Sequence, residues 1–311
     1  MASISENSVA IILVNWNGYA FSQACLNSLN RIDFPNYQVV LVDNASEENE
    51  GERLLTEFPE IHLIQSEKNR GFTGGNNLGI QWAVDQGFPH VLLLNNDTEV
   101  EPDFLSELMK PFRRNEKVGA VQPLITFLTE KEKIWSAGGK WNSILGRAIT
   151  IGGNKSLKTS SLNDQKMDWA TGCAFLVSAE IIRDVGMLDD RFFTYFEDVD
   201  WSLRIREKGH QIHFCPQSRV YHEAGASSKK KGKEGTLSPR VFHFHSRNQL
   251  FLIRKHLSGF SFLASMGYHG FRFLLWIIYF SLRGRIQKVK AVATGVRDGL
   301  TLPLEHAEKW Q

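Results

Sequence analysis

The chain has 311 residues, 42% of them hydrophobic and 23% charged, a composition that fits a folded protein and excludes a disordered or collagen-like one. Its net charge of +2 conceals a division: from residue 201 onward there are 19 Lys and Arg against 6 Asp and Glu, and before it 17 against 28. A basic final third asks for an anionic partner: a phosphorylated substrate, a membrane surface or a nucleic acid.

Three cysteines, Cys25, Cys173 and Cys215, form no CxxC pair. Neither a zinc site nor a disulfide framework is indicated, and a reducing compartment is the simplest reading. The first apolar run, Val9 to Val14, has no basic residue before it and is too short for the core of a secretory leader. It reads instead as a buried strand, ending in Asn15, Asn17 and Gly18. Further short apolar runs follow at 37–43, 61–66 and 91–95, ending in Asp43 and Asn44, in Ser66 and Asn69, and in Asn95, Asn96 and Asp97. The segments near 49–58 and 75–86 read as helices. Continuous apolar strands alternating with helices predict a mostly parallel α/β sheet covered on both faces. Ligands of such sheets bind beyond the carboxyl ends of the strands, where these polar residues gather. Any one of them alone fits a turn or a helix cap equally well.

The loop NRGFTGGNNLG, residues 69–79, carries Gly71, Gly74 and Gly75 ahead of a helix expected to start near Gly75 or Asn76. Glycines let backbone approach a ligand, and a helix start offers free N–H groups to an anion. The spacing is neither GxxxxGK[ST] nor a clean GxGxxG, so a P-loop is excluded and a dinucleotide fingerprint is not supported. Later, DWATGCAFLV predicts a polar loop with Trp169, Thr171 and Gly172, then a strand over 174–177. In FFTYFEDVDWSLRIREKG a helix is expected from Glu197 to Gly209, with Glu197, Asp198 and Asp200 in its first turn behind four aromatics. Carboxylates there complement the helix dipole, and one beside an apolar wall also suits a general base. Burial and dipole push its pKa in opposite directions. His222 is expected just after a short strand, where a structural role stands beside a catalytic one.

Taken in order, VNWN, VDNAS, NRGFTGGNN, LLNNDT, WATGCAFLV, FFTYFEDVDWSLR and VYHEAG resemble the family 2 glycosyltransferases of GT-A fold, and within them the rhamnosyltransferase-like branch, from about Val9 to Gly225. The resemblance implies an inverting glycosyltransferase that uses a nucleoside-diphosphate sugar, dTDP- or UDP-linked, in cell-surface polysaccharide assembly, with L-rhamnose the first candidate. It implies that Asp43 contacts the base. Asn15, Asn17, Asn69, Gly71, Asn76, Asn95 and Asn96 would line the nucleotide sugar. Asp97, with His222, would hold Mg²⁺ or Mn²⁺, and Asp198 would be the catalytic base. Asn95 stands where many relatives carry a first Asp, leaving Asp97 as the only carboxylate of that motif. Trp169, Thr171, Gly172, Glu197, Asp200 and Arg204 are expected nearer the acceptor and sugar, the aromatics among them serving the core equally well.

The expected division is a GT-A domain over residues 1–240 and a helical extension over 241–311. The stretch SKKKGK (228–233) reads as a basic solvated loop. Phe273 to Leu282 is an uncharged apolar run too short to span a bilayer. With Arg283, Arg285, Lys288 and Lys290 it reads as an interfacial amphipathic helix, or else as an ordinary packed one. The first reading fits a cytoplasmic protein on the inner face of the plasma membrane, acting on a glycan or a polyprenyl-diphosphate-linked acceptor. Two other functions fit less well. A sugar-phosphate nucleotidyltransferase needs a basic residue in the first glycine loop, which NWNGYA lacks, and a non-catalytic glycan- or membrane-binding module would leave the carboxylates structural.

Overall fold

The computed structural model describes residues 4–114, 117–159, 162–223, 229–232 and 235–304. Two compact units emerge: residues 1–140, 150–193 and 197–224 in the first, and 141–149, 194–196 and 225–311 in the second.

The first unit begins with β1 (Val9–Asn15), α1 (Tyr19–Leu29), β2 (Tyr37–Asp43), α2 (Glu50–Glu57), β3 (His62–Gln65), α3 (Gly71–Asp85) and β4 (His90–Leu94). Strands β4, β1, β2 and β3 lie side by side and parallel, with Asn15 opposite Asp43 and Asp43 opposite Gln65. Then come β5 (Thr98–Val100), α4 (Phe104–Arg114), β6 (Val118–Phe127), β7 (Ile134–Ser136), β8 (Gly139–Asn142) and β9 (Arg147–Thr150), of which residues 141–149 fall in the second unit, and then β10 (Gln165–Met167), β11 (Ala174–Ser178), α5 (Ala179–Val185), α6 (Glu197–Glu207) and β12 (Gln211–His222). The main sheet runs β10-β12-β6-β11-β4-β1-β2-β3, with β5 on β12 and β7 on β6. It is mostly parallel, β11 being inserted antiparallel between β4 and β6.

Each central strand is buried on both faces, which is why its sequence is a continuous apolar run. Val9, Ile11 and Leu13 join Leu26, Leu29 and Leu54 on one side. Ala10 and Ile12 join Ile80, Ala83, Ile181 and Trp201 on the other.

Three expectations are corrected here. Helix α3 starts at Gly71, not near Gly75 or Asn76. Its glycines are close-packing residues: a Cβ on Gly79 would stand 2.4 Å from Ile12 Cγ2, and one on Gly75 2.8 Å from Val14 Cγ1. His222 does not follow a short strand but ends one of 12 residues, irregular between Cys215 and Arg219.

The second unit holds β13 (Lys229–Gly232), β14 (Gly235–Leu237), α7 (Pro239–His256), α8 (Gly259–Leu282) and α9 (Ile286–Thr301). Its core is Leu250, Phe273, Phe280 and Val292. Lys288, expected among the flanking cations, is buried instead, with Nζ 5.0 Å from the Phe242 ring and 5.5 Å from Phe280. Residues 228 and 233 and the side chains of 229–232 lie outside the described residues, as does Gly225 at the far edge of the resemblance.

Candidate active site

The carboxyl ends of β1 and β2 are tied into one polar network. Asn15 is fully buried, so its amide needs partners inside the protein. Nδ2 donates to Ser46 Oγ (3.0 Å) and Glu50 Oε2 (2.9 Å), and Oδ1 accepts from Ser22 Oγ (2.7 Å). Asn96 Nδ2 donates to the same Ser22 (2.8 Å), linking the end of β4 to that of β1. Asn17 is exposed at φ +50, and its Oδ1 accepts from Glu47 N at 2.9 Å. Asp43 is 2% exposed, and its two oxygens accept from Ser46 N and Gly51 N, both at 3.0 Å. Each carboxylate oxygen retains a second acceptor position.

The loop into α3 is held by side-chain amides. Asn69 Oδ1 accepts from Gly71 N (2.8 Å), Asn44 Oδ1 accepts from Arg70 N (2.9 Å), and Asn44 Nδ2 donates to Gly71 O (3.0 Å). Gly71 has φ +73, and a Cβ there would stand 2.4 Å from Phe193 O. Asn76 is 2% exposed and donates to Phe72 O, one turn back in its own helix (2.8 Å).

Asp97 and His222 lie 125 positions apart in the chain and meet at 3.2 Å, Oδ1 to Nε2. Antiparallel pairing of β5 with β12 places His222 opposite Thr98, and Glu223 N donates to Asp97 O at 3.0 Å. Trp135 packs edge-on against the imidazole, centroids 4.5 Å apart. Burial disfavours the imidazolium, but Cys173 and Asp97 outweigh it and raise His222 to about 10. Burial lifts the Cys173 thiol above its usual range; around it stand His222, Asp97 and Asp198. Among the described residues no cluster of three or more His, Cys, Asp or Glu could hold a metal. Asp97 and His222 supply one oxygen and one nitrogen, held together by their 3.2 Å contact. A pair of this kind suits a divalent cation that takes its remaining ligands from water and a diphosphate.

Asp198 stands at the start of α6. Oδ2 accepts from Gly172 N (3.0 Å) and Oδ1 from its neighbour Val199 N (2.8 Å). Burial raises its pKa against the pull of these N–H groups. Glu197 beside it is 5% exposed, its Oε2 has no hydrogen-bond partner, and burial and then Asp198 push its pKa well up. Burial thus prevails over the stabilising N–H groups in the competition expected from the sequence.

Thr171 N donates to Gln122 Oε1 at 2.8 Å, which fixes the loop carrying Gly172. Trp169 is 7% exposed and bonds Lys140 O, while Trp201 stacks on Phe175 in the core. Asp200 is fully buried and accepts from Arg204 Nε at 2.9 Å; the same guanidinium reaches Val185 O and Met187 O. These two, expected near the acceptor, lock α6 to the turn after α5.

The turn before the acids is unusual. Phe193, Tyr195 and Phe196 have φ of +63, +70 and +72, uncommon for aromatic residues. Residues 194–196 belong to the helical unit, where Asn248 Nδ2 donates to Thr194 O (2.7 Å) and Tyr195 O (2.9 Å), and His245 stacks on Tyr195. Ser22, Ser46, Glu50 and Gln122 join the site without having been singled out in the sequence. Only the need of Asn15 for buried partners hinted at the first three.

A mostly parallel sheet flanked by helices, with polar residues and an acid–histidine pair at its carboxyl edge, is the GT-A arrangement of sugar-transferring enzymes. The chain belongs to glycosyl transferase family 2, whose profile matches residues 10–186. It is 24% identical over 222 residues to the dTDP-rhamnosyl transferase RfbF of Shigella flexneri, covering 71% of this chain and 72% of the relative. It is 23% identical over 266 residues to an N-acetylglucosaminyl-diphospho-decaprenol L-rhamnosyltransferase of Mycobacterium tuberculosis, covering 79% and 84%. Among solved structures, GalNAc-T7 with UDP, GalNAc and Mn²⁺ superposes with a TM-score of 0.60 at 16% identity, over 80% of this chain and 48% of that one. The protein is a glycosyltransferase of GT-A fold. Among its described residues, no helix is long and apolar enough to cross a membrane.

Proposed function

We propose that the protein is an inverting glycosyltransferase that moves a sugar from a nucleoside-diphosphate donor to a glycan or lipid-linked glycan acceptor in cell-surface polysaccharide assembly. The observation that carries this reading is the convergence of Asp97, His222 and Asp198 around Cys173, at the edge where β1, β2 and β4 end. L-Rhamnose from a dTDP donor is the first candidate, because rhamnosyltransferases figure among the relatives; a UDP sugar is the second.

Asp97 and His222 would hold a divalent cation, which when bound neutralises charge on a departing diphosphate. Asn15, Asn17, Asp43, Asn69 and Asn96 would line the nucleotide, with the backbone around Gly71, Asn76 and Asn95 shaping its walls. Asp198 would accept the proton of the acceptor hydroxyl as that oxygen bonds to the anomeric carbon from the face opposite the leaving diphosphate. One bond forms, one breaks, and the configuration inverts. A raised pKa suits a base that must take this proton and release it. Thr171 and Gly172 hold Asp198, and burial, which disfavours the charged form of Glu197, opposes a second charge beside it.

Peripheral membrane contact belongs to the same reading. Helix α8 exposes Phe260 (77%), Leu263 (68%), Phe271 (62%) and Leu282 (83%), followed by Arg283, Arg285 and Lys290. An apolar stripe beside cations fits the surface of an anionic bilayer.

Calorimetric titration with the uridine, thymidine and guanosine diphosphates, with and without Mn²⁺, tests the donor site. Metal-dependent binding of one nucleotide, weakened at least tenfold in Asp97→Ala, is expected. Absence of binding by folded protein overturns the proposal. For the membrane, wild type should sediment with phosphatidylglycerol vesicles and Leu263→Asp/Leu282→Asp should not; equal sedimentation refutes this part.

A further inference from the structure

One face of α8 carries chemistry that the transfer reaction does not use. Ser265, His269 and Arg272 recur at i, i+4 and i+7 and lie on one side of the helix. Ser265 Oγ donates to Ile144 O at 3.0 Å, and His269 Nε2 stands 2.9 Å from Leu145 O. From α7, Gln249 Nε2 donates to Gly146 O at 2.8 Å. The turn 144–146 is thus pinned to the helices. Gly146 has φ +57, and a Cβ there would stand 2.9 Å from Ile253 Cγ1. The next residue is Arg147, whose guanidinium lies 5.5 Å from the Tyr268 ring centroid and within electrostatic reach of Arg272.

Arg272 is the anomaly. Its guanidinium carbon lies 5.1 Å from the Phe273 ring and 5.0 Å from Trp276. Its Nε and Nη2 are buried and have no hydrogen-bond partner, and neither has Nδ1 of His269. An arginine keeps its proton in any protein environment, so this charge cannot be relieved by titration. Stacking on aromatic faces steadies a cation without neutralising it, and water can satisfy an N–H but supplies no counter-charge. Asp298 is the one carboxylate side chain among the described residues of this unit, and it pairs with Arg297 (2.8 Å) and His243 (3.8 Å). The histidines nearest Arg272, His245 and His269, are held neutral, their pKa values pushed to about 4 by burial and then by Arg272 itself. No carboxylate among the described residues of the unit is left to supply the counter-charge.

We infer that Arg272, with Arg147 and His269 beside it, forms an anion-binding site within the helical unit that takes a phosphate or diphosphate group. A guanidinium already fixed by ring stacking offers two N–H groups to two oxygens of one phosphate, a geometry it matches better than a lysine would. Nδ1 of His269 is the acceptor for a protonated phosphate oxygen. The inference builds on the proposed lipid-linked acceptor, whose diphosphate linker has this chemistry. The head-group phosphate of an anionic lipid has it too.

The test compares wild type with Arg272→Met, which keeps an unbranched stem, and with Arg272→Lys, in chelator, so that no metal-dependent donor binding contributes. The probes are inorganic pyrophosphate, farnesyl diphosphate and phosphatidylglycerol vesicles. Pyrophosphate should raise the melting temperature of the wild type and bind Arg272→Met at least tenfold more weakly, with Arg272→Lys in between. In phosphate-free buffer Arg272→Met should melt no lower than wild type, since a half-buried charge whose Nε and Nη2 have no hydrogen-bond partner has been removed. Farnesyl diphosphate binding tighter than pyrophosphate, and lost in Arg272→Met, assigns the site to the acceptor linker. Vesicle binding that depends on Arg272, with no response to either soluble diphosphate, assigns it to a lipid head group. Equal behaviour of wild type and Arg272→Met with all three probes overturns the inference. Binding of Mn²⁺ and nucleoside diphosphate, measured separately, reports the donor site: if it fails while the Arg272-dependent response holds, the proposed function falls and this site stands.

Discussion

Replacing Gly71 by alanine separates two costs that usually arrive together. At φ +73 a side chain costs about 1–2 kcal/mol in backbone strain. Its Cβ would lie 2.4 Å from Phe193 O and 2.6 and 2.7 Å from that ring. The nearest atom is backbone, which cannot swing aside, so overpacking adds roughly 1–3 kcal/mol. Restricting the unfolded chain returns about 0.4–1 kcal/mol. The net loss is about 2–4 kcal/mol, or some 4–12 °C in melting temperature for a protein of this size. Gly87→Ala supplies the control: φ is +85 and nothing lies within 4 Å of the added carbon, so about 1 kcal/mol is expected from strain alone. Gly79→Ala is the converse, a clash with Ile12 without the strained φ, partly offset by the better helix former. Scanning calorimetry should rank the losses Gly71 above Gly79 and Gly87. A Gly71→Ala protein melting within 2 °C of wild type, or a Gly87→Ala protein losing as much as Gly71→Ala, would refute the contact with Phe193 as the reason for glycine.

Asp198→Asn should lower turnover roughly 10²–10⁴-fold while nucleotide binding persists; unchanged turnover would remove Asp198 as the base. Because burial raises the pKa of the Glu197–Asp198 pair, turnover should fall on the acid side at a pH above that of an ordinary aspartate, and this limb should vanish from the residual activity of Asp198→Asn. His269 is fully buried with a pKa of about 4, against 6.5 for the free side chain, so the unfolded chain binds a proton first. Its contribution, about 3 kcal/mol at most, is intact above pH 6.5 and lost as pH falls toward 4. Urea unfolding at pH 7.5 and 5 should show this loss, and His269→Gln should shrink it; an identical loss in the variant would exclude His269 as its source. Asn248→Leu removes two hydrogen bonds to the strained turn at 194–196 and should lower stability by about 1–3 kcal/mol and turnover by a larger factor than nucleotide affinity. Parallel losses in both would reduce Asn248 to a packing residue.

The strands nearest the site were legible because burial on both faces leaves no choice but a run such as VAIILV. Their polar ends were legible for the complementary reason: a buried strand that stops in Asn or Asp stops at an edge. The start of α3 was misplaced because glycine is a poor helix former, and here close packing on Ile12 and Val14 overrides propensity. β12 was read as far too short because Pro216, Gln217 and Ser218 look like a turn, while the structure absorbs them as an irregularity in a continuing strand. The meeting of Asp97 with His222 could be expected only through the family resemblance, since the pairing of β5 with β12 that creates it leaves no local periodicity. The partners of Asp200 and Arg204 were not legible, because charge at a helix start is ambiguous until its neighbours, here Val185 O and Met187 O, are in view.

The left-handed turn just ahead of the acid pair depends on a side chain made much later in the chain. Thr194 and Tyr195 leave the ribosome more than fifty residues before Asn248, the side chain that holds their carbonyls. At 5–20 residues per second, the nascent chain spends roughly 3–10 seconds with its sheet nearly complete and that turn unsupported. A strained backbone without its anchor relaxes toward ordinary dihedrals, so the turn at 194–196 takes its left-handed form only after the helix that carries Asn248 has been made. A chain released early from the ribosome would carry the residues of this turn without its geometry.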